Sequence, residues 1–443
     1  MSEIIVRGGT VVDADGRRVA DVAIADGRIT EVGEQLAAGG ADEVDARGLL
    51  VLPGMIDVHL HFNEPGRTEW EGGATGSRAL AAGGGTTFFD MPLNSTPCTV
   101  NALEVERKRA ALEASSICDF GLWGGLTPGS VTHMAEMASA GVVGFKAFMC
   151  DSGLPEFPRA DDRTLFDGLR EAARLKLPVA VHAESEEITR GLAKAITGAG
   201  AREFMASRPL VAETEAVERA LELAKETGAK LHIVHMSSGT AVAMAAEARR
   251  NGVDVSIETC PHYLYFDEAD VERLGVVAKC APPIRPANDE LWEELLAGNV
   301  NIVASDHSPT EPAMKKAGDF RSSWGGIAGA QSTLSVLLDR GHHARQVAIE
   351  RIVSLIAATP AERFRLPNKG RIQAGFDADL VLVDSAKSFT LGAADLQQRH
   401  KISPYIGSTF RGTVRRTIRR GETIFSDGKI TATSKGRFVC PTL

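Results

Sequence analysis

The chain has 443 residues, of which 44% are hydrophobic and 24% charged, and it carries a formal net charge of −9. That acidic balance gives no reason to expect nucleic acid as a partner, and no apolar run approaches the roughly 20 residues needed to span a bilayer, so no membrane partner is expected either. The six cysteines, Cys98, Cys118, Cys150, Cys260, Cys280 and Cys440, are scattered without CxxC pairing; this argues against a disulfide framework or a thiolate zinc site and fits a reduced, cytoplasmic protein.

The opening stretch, MSEIIVRGGTVVDADG, reads as an alternating strand and turn rather than a signal peptide. Residues 3–50 keep this style, with short strands in IIVRGGTVV, VADVAIADGRITEVG and EVDARGLLVL and Asp-Gly at turn positions. From Gly54 the pattern changes. Apolar runs at Met55–His61, Thr86–Pro92, Asp119–Leu126, Val142–Met149, Pro178–Glu184, Lys230–Met236, Asp254–Cys260 and Asn301–Asp306 predict eight strands. Between them, ALEVERKRAALEA, RTLFDGLREAARL, ETEAVERALELAKETG and TAVAMAAEARRNG repeat apolar residues at i, i+3, i+4, the helical period. Eight parallel strands with intervening helices predict an α/β fold, a (β/α)8 TIM-like barrel over residues 53–370. Residues 371–432 return to short strands, in ADLVLVD and VRRTIRRGETIFSDGKI. Neither flank is long enough to stand comfortably alone, so 1–52 and 371–443 are expected to combine in a small β-sandwich domain beside the barrel.

In such a barrel the reactive groups sit at the C-terminal ends of the strands. Strand one ends in DVHLHFNEPG, and the two-residue period of a strand puts His59 and His61 on one face. Core histidines bonded to backbone would explain the pair, and so would a metal ion, since neutral imidazole is its commonest protein ligand. Strand four places Lys146 among Val143, Phe145, Ala147 and Phe148. Burial there favours the neutral amine, which can capture carbon dioxide as a carbamate able to bridge two cations; a snorkelling surface lysine is the alternative. Strand five ends in His182, strand six in His235 and strand eight in Asp306, each of which also has a structural reading, such as a helix N-cap for Asp306. His232 lies three residues before His235 and should face the other way on a strand, so it is read as structural or supporting. Four histidines, a carboxylate and a potential carbamate at the strand ends of one barrel fit a centre of two divalent metal ions.

HxH after PGMID, the lysine of GFKAF, the later single histidines and the aspartate of SDH resemble the cyclic amidohydrolases of the amidohydrolase superfamily, which include dihydroorotases, hydantoinases and allantoinases. The resemblance implies that His59 and His61 hold the more buried metal, His182 and His235 the more exposed one, and carbamylated Lys146 both. It implies two divalent ions per subunit, zinc or else cobalt, manganese or iron, with bicarbonate as the source of the carbamate. Asp306 is implied as both a ligand and the group that passes a proton from the attacking water to the leaving ring nitrogen. Within the group, dihydroorotases carry arginine where this chain has Asn63, and histidine where DHSPT has Thr310, so an uncharged ring is expected as substrate. Hydantoinases present a tyrosine past the lysine, which CDSGLPEFP lacks. FNEPGRTEWEG, DMPLNS, DSGLPEFP and WGGIAG look like allantoinase, which implies hydrolysis of allantoin to allantoate in purine breakdown. Asn63, Asn94 and Ser152, with the backbone at Ala281 and Gly325, are the expected substrate contacts, and a homotetramer is the expected assembly.

Overall fold

A computed structural model describes residues 3–442. Eight strands, Met55–Leu60, Gly85–Asp90, Asp119–Gly125, Gly144–Phe148, Val179–His182, Leu231–Ile233, Val255–Thr259 and Ile302–Val303, form one sheet in chain order. Every neighbouring pair is parallel. The sheet closes where His61 N donates to His307 O at 2.8 Å beside a parallel bridge between Leu60 and His307. Strand one, MIDVHL, is buried along its whole length, as a strand enclosed on both faces must be.

The four expected helices form at Ala102–Ser115, Asp162–Leu175, Leu210–Thr227 and Gly239–Arg250. Their ends follow from local chemistry. Asn101, Asp161 and Ser238 cap three N-termini by accepting from the backbone N–H of Glu104, Thr164 and Ala241. Gly228, left-handed at φ 66°, ends the fourth. Several strands are shorter than their apolar runs; the eighth has only Ile302 and Val303 in regular pairing. Residues are lost at both ends, and those lost at the C-terminal ends include His235 and Asp306, which turn toward the mouth of the barrel.

Both flanks enter a second sheet of nine strands. Its seam joins the chain ends, with Leu50–Pro53 antiparallel to Leu380–Thr390 and parallel to Ile4–Asp13. Residues from both ends, including Val6, Val22, Ile24, Leu380 and Ile418, share one apolar core. Residues 436–439 leave this sheet and run along barrel strand three: Phe120 N donates to Arg437 O at 2.9 Å and Val439 N to Phe120 O at 2.8 Å. No helix among the described residues is long and apolar enough to cross a membrane.

A buried ion cluster ties the sheet to the barrel. Lys369 Nζ lies 2.9 Å from Asp119, 3.1 Å from Asp377 and 2.6 Å from Asp379, while Arg420 pairs with Asp119 as well. Removing one partner of a buried pair leaves charge uncompensated and costs about 3 kcal/mol or more. Lys369→Met should therefore melt well below the parent in a thermal scan, and an unchanged melting temperature would show the cluster to be dispensable.

Candidate metal centre and cavity

The mouth of the barrel gathers the predicted donors. His59 lies between two carboxylates, with Nδ1 2.7 Å from Glu258 Oε1 and Nε2 3.2 Å from Asp306 Oδ1. His61 Nε2 is 3.4 Å from the same Asp306 oxygen. Across the opening, the His235 ring centroid stands 5.3 Å from His59 and 4.6 Å from His182. Lys146 reaches in from strand four, fully buried, with its Nζ 5.0 Å from the Phe148 ring centroid and no hydrogen-bond partner.

Two of these residues have unusual backbones. His235 has φ 40° and Asp306 φ 43°, both in the left-handed region that costs a residue with a Cβ about 1–3 kcal/mol. At His235 the turn explains a departure from simple alternation. His232, in the strand, gives Nε2 to Glu258 Oε2 at 2.9 Å, and His235 N donates to the other Glu258 oxygen at 3.0 Å. Strand six ends at Ile233, and the left-handed residue re-aims the second ring toward the same opening.

Glu258 was not singled out in the sequence, although it stands near the C-terminal end of strand seven, in SIET, as His235 and Asp306 stand just beyond the ends of theirs. It is fully buried and orients His59, His232 and the His235 backbone at once. Asp57 is a second such residue. Its Oδ1 accepts from Ser305 N at 3.1 Å and from His59 N at 3.3 Å, linking strands one and eight behind the histidines.

The electrostatics follow from burial. Desolvation raises the Asp57 carboxyl to about 6. Burial also opposes ionisation of Glu258, but His59 and His232 outweigh it and hold that carboxyl at about 2. Asp306 is likewise kept well below the usual carboxylate range by His59 and His61 against its own burial. Burial keeps His61, His182 and His235 toward the neutral form that ligates metals. His59 differs: burial disfavours its charge, yet Glu258 and Asp306 prevail and raise it to about 9. Lys146 is lowered to about 8 by burial, with Glu258 and Asp306 opposing.

A cavity of about 400 Å³ opens above these groups. Asn94, Ser152, Ala281 and Gly325 all line it, together with His59, His61, His182, His235 and Asp306. The Ser152 hydroxyl is engaged within its own loop, donating to Phe157 O at 2.7 Å. Asn63 is placed differently from the expectation. It lies outside the cavity lining, buried with φ 63°, and its amide donates to Pro309 O at 3.3 Å, so it fixes the loop after strand eight instead of facing a ligand. Thr310 also lies off the cavity, its hydroxyl 2.8 Å from Met314 Sδ. Arg208 and Lys279, which the sequence reading passed over, are in the wall.

The donor set suits divalent cations. His59, His61 and Asp306 can each offer an atom within 4.8 Å of the others. Asp57, Glu258 and Asp306 are buried without an ion pair to any lysine or arginine among the described residues, and Lys146 Nζ is left without a partner. Buried charges are paired or bind metals.

Residues 50–424 match the family model described as "Amidohydrolase family". The chain belongs to the amidohydrolase family. Among its relatives, an allantoinase of Solibacter usitatus (strain Ellin6076) is 60% identical over 100% of this chain and 97% of that protein. An allantoinase of Deinococcus radiodurans is 51% identical over 99% of each chain. Among solved structures, the L-hydantoinase (dihydropyrimidinase) from Arthrobacter aurescens superposes with a TM-score of 0.96 at 32% identity, covering 99% of this chain and 100% of that one. Membership implies divalent metal use, which the donor set fits.

The state of His59 generates a prediction. Flanked by two carboxylates and raised to about 9, its ring is protonated at pH 7.5 in the metal-free protein, whereas a ligand must be neutral. Loading a divalent ion should therefore release protons, and apparent affinity should rise with pH up to about 9. Titration in weak buffer with a pH indicator measures both; affinity constant between pH 7 and 9 would count against His59 as a ligand.

Proposed function

We propose that this chain hydrolyses the cyclic amide of allantoin to give allantoate, in a centre that holds two divalent metal ions. The observation that carries the reading is Lys146, an amine buried without a hydrogen-bond partner among the described residues in strand four of an amidohydrolase barrel, near enough to His182, His235 and Asp306 to interact with their charge. The choice of allantoin is supported by relatives named allantoinase that align with the whole chain.

His59, His61 and Asp306 would hold one ion and His182 and His235 the other, with Lys146 as a carbamate between them. Zinc suits three or four nitrogen and oxygen donors, and cobalt, manganese or iron would serve in the same set. Ions bound there supply a water of lowered pKa and polarise the ring carbonyl. The remaining roles belong to the protein. Asp306, held ionised beside His59 and His61, accepts the proton of the attacking water and returns it to the leaving nitrogen. Asn94, Ser152 and the backbone at Ala281 and Gly325 line the space for the ring and its ureido arm. Asn63 acts on that wall indirectly, through Pro309. A cytoplasmic homotetramer is proposed as the working form, supported by the unpaired cysteines and by the family resemblance.

Carbamate formation requires the neutral amine. With Lys146 lowered to about 8, reactivation of metal-free protein by metal and bicarbonate at fixed dissolved carbon dioxide should quicken as pH rises through 8 and then level off. Lys146→Ala should be nearly inactive. An active Lys146→Ala protein with two bound ions and no added small carboxylate contradicts the carbamate.

The substrate is tested by offering allantoin, dihydroorotate, hydantoin and dihydrouracil to one metal-loaded preparation and following proton release. Allantoin should give the highest kcat/KM. Dihydroorotate should trail by tenfold or more, because Asn63 and Thr310, at the positions where dihydroorotases have charged groups, are turned away from the cavity and offer its carboxylate no charged partner. Greater efficiency on dihydroorotate or hydantoin would overturn the assignment.

A further inference from the structure

Two of the histidines of the centre, His59 and His182, are oriented by different acidic residues through opposite ring nitrogens. His59 gives Nδ1 to Glu258. His182 instead gives Nε2 to Glu184 Oε2, at 2.8 Å, which leaves Nδ1 as the nitrogen with a lone pair to offer. The same Glu184 oxygen accepts from Arg208 Nη1. Glu184 is fully buried, and Arg208 is its only cationic side-chain neighbour within ion-pair distance among the described residues.

The network continues to the other histidine on this side. Arg285 Nη1 donates to the Arg208 carbonyl at 2.8 Å, and Arg285 Nε donates to Ser237 Oγ at 2.8 Å. Ser237 N and Oγ each donate to Glu213 at 2.7 Å, and Arg285 Nη2 is 3.2 Å from the same carboxylate. Ser237 stands two residues after His235. The loops that carry His182 and His235 are thus bound into one chain of charges, buried at Glu184 and Glu213 and half-buried at Arg208 and Arg285; none of these four side chains bonds to His59, His61 or Asp306 among the described residues, and the link to the His59 side is the His235 N–H on Glu258.

We propose that Glu184 and Arg208 are positioning residues that set the metal affinity of the His182–His235 half of the centre independently of the His59–His61–Asp306 half. The inference rests on the metal-centre reading above. An ionised carboxylate bonded to one imidazole nitrogen fixes the tautomer and raises the basicity of the other, an arrangement whose loss costs metal sites 10–100-fold in affinity. Arg208 makes that carboxylate sustainable, since a buried unpaired anion would take up a proton or draw in water. Cys150 Sγ also lies within 4.8 Å of His182 and Glu184 donors, but those two are engaged with each other, which makes the group a device for orientation rather than a third cation site.

The test is a chelator titration with metal content read by elemental mass spectrometry. The parent should hold two ions per chain and lose them in two phases. In Glu184→Gln, which preserves shape, and in Arg208→Met, one phase should shift to 10–100-fold weaker binding while the other stays. Arg208→Lys, which keeps a cation beside Glu184, should recover part of the loss, and circular dichroism confirms that each variant is folded. A shift of both phases together, or of neither, overturns the inference while leaving the two-ion centre standing. A parent that binds no divalent ion overturns the reading of the centre and this inference with it.

Discussion

Three carboxylates, Asp57, Glu258 and Asp306, are buried at one end of the barrel with no lysine or arginine paired to them among the described residues. Much else in the architecture is a response to that constraint. One oxygen of Asp57 accepts from the backbone N–H groups of Ser305 and His59, so the contact that shelters it also joins the first strand to the last. Glu258 is satisfied by two imidazoles and a peptide N–H, so sheltering it fixes the rings of strands one and six. Asp306 has only His59 and His61. Desolvating three anions in one place is expensive unless positive charge arrives, and the protonated His59 supplies some of it in the metal-free protein. Divalent ions held there would satisfy the remainder, and for this reason the site is best understood as a charge balance before it is understood as a list of ligands.

The backbone carries a second expense at the same place. His235, Asp306, Asn63 and Asn94 all have positive φ, although none is glycine. Such residues persist where the surroundings over-determine them. His235 is held by its own N–H on Glu258, Asn63 by its amide on Pro309, and Asn94 by the Arg67 guanidinium on its carbonyl at 3.2 Å. Relaxing the turns at His235, Asp306 or Asn94 would swing a side chain away from the opening, so rigidity here is provided by hydrogen bonds to rigid neighbours.

What was legible in the sequence follows from which physical signals are local. The pair His59 and His61 could be read because a strand has a period of two and both rings stay within regular geometry. Lys146 could be read because a lysine among aromatic and β-branched neighbours contradicts its own solvation. His235 was chosen over His232 by its nearness to the strand end; the alternation argument missed that the chain turns left-handed there and that both rings reach the same interior. Glu258 and Glu184 were missed because an acid at a strand end looks like an ordinary helix cap, and only tertiary contact shows which histidine it faces. Asn63 was expected at the ligand because arginine occupies that position in relatives with an anionic substrate, but a shorter side chain in a left-handed turn finds the Pro309 carbonyl first.

The seam between the chain ends has a consequence for biosynthesis. Leu50–Pro53 is hydrogen-bonded to Leu380–Thr390, a partner that leaves the ribosome roughly 330 residues later. At translation rates of about 5–20 residues per second, the amino-terminal strands spend some tens of seconds with an open edge of unsatisfied peptide groups. The nascent barrel can assemble its strands in order during that interval, since each pairs with its predecessor, whereas the flanking sheet cannot be completed until translation is nearly done. Early termination anywhere in the barrel would therefore release a chain with a sticky, half-built sheet, a substrate for chaperones and proteases rather than a partly active enzyme.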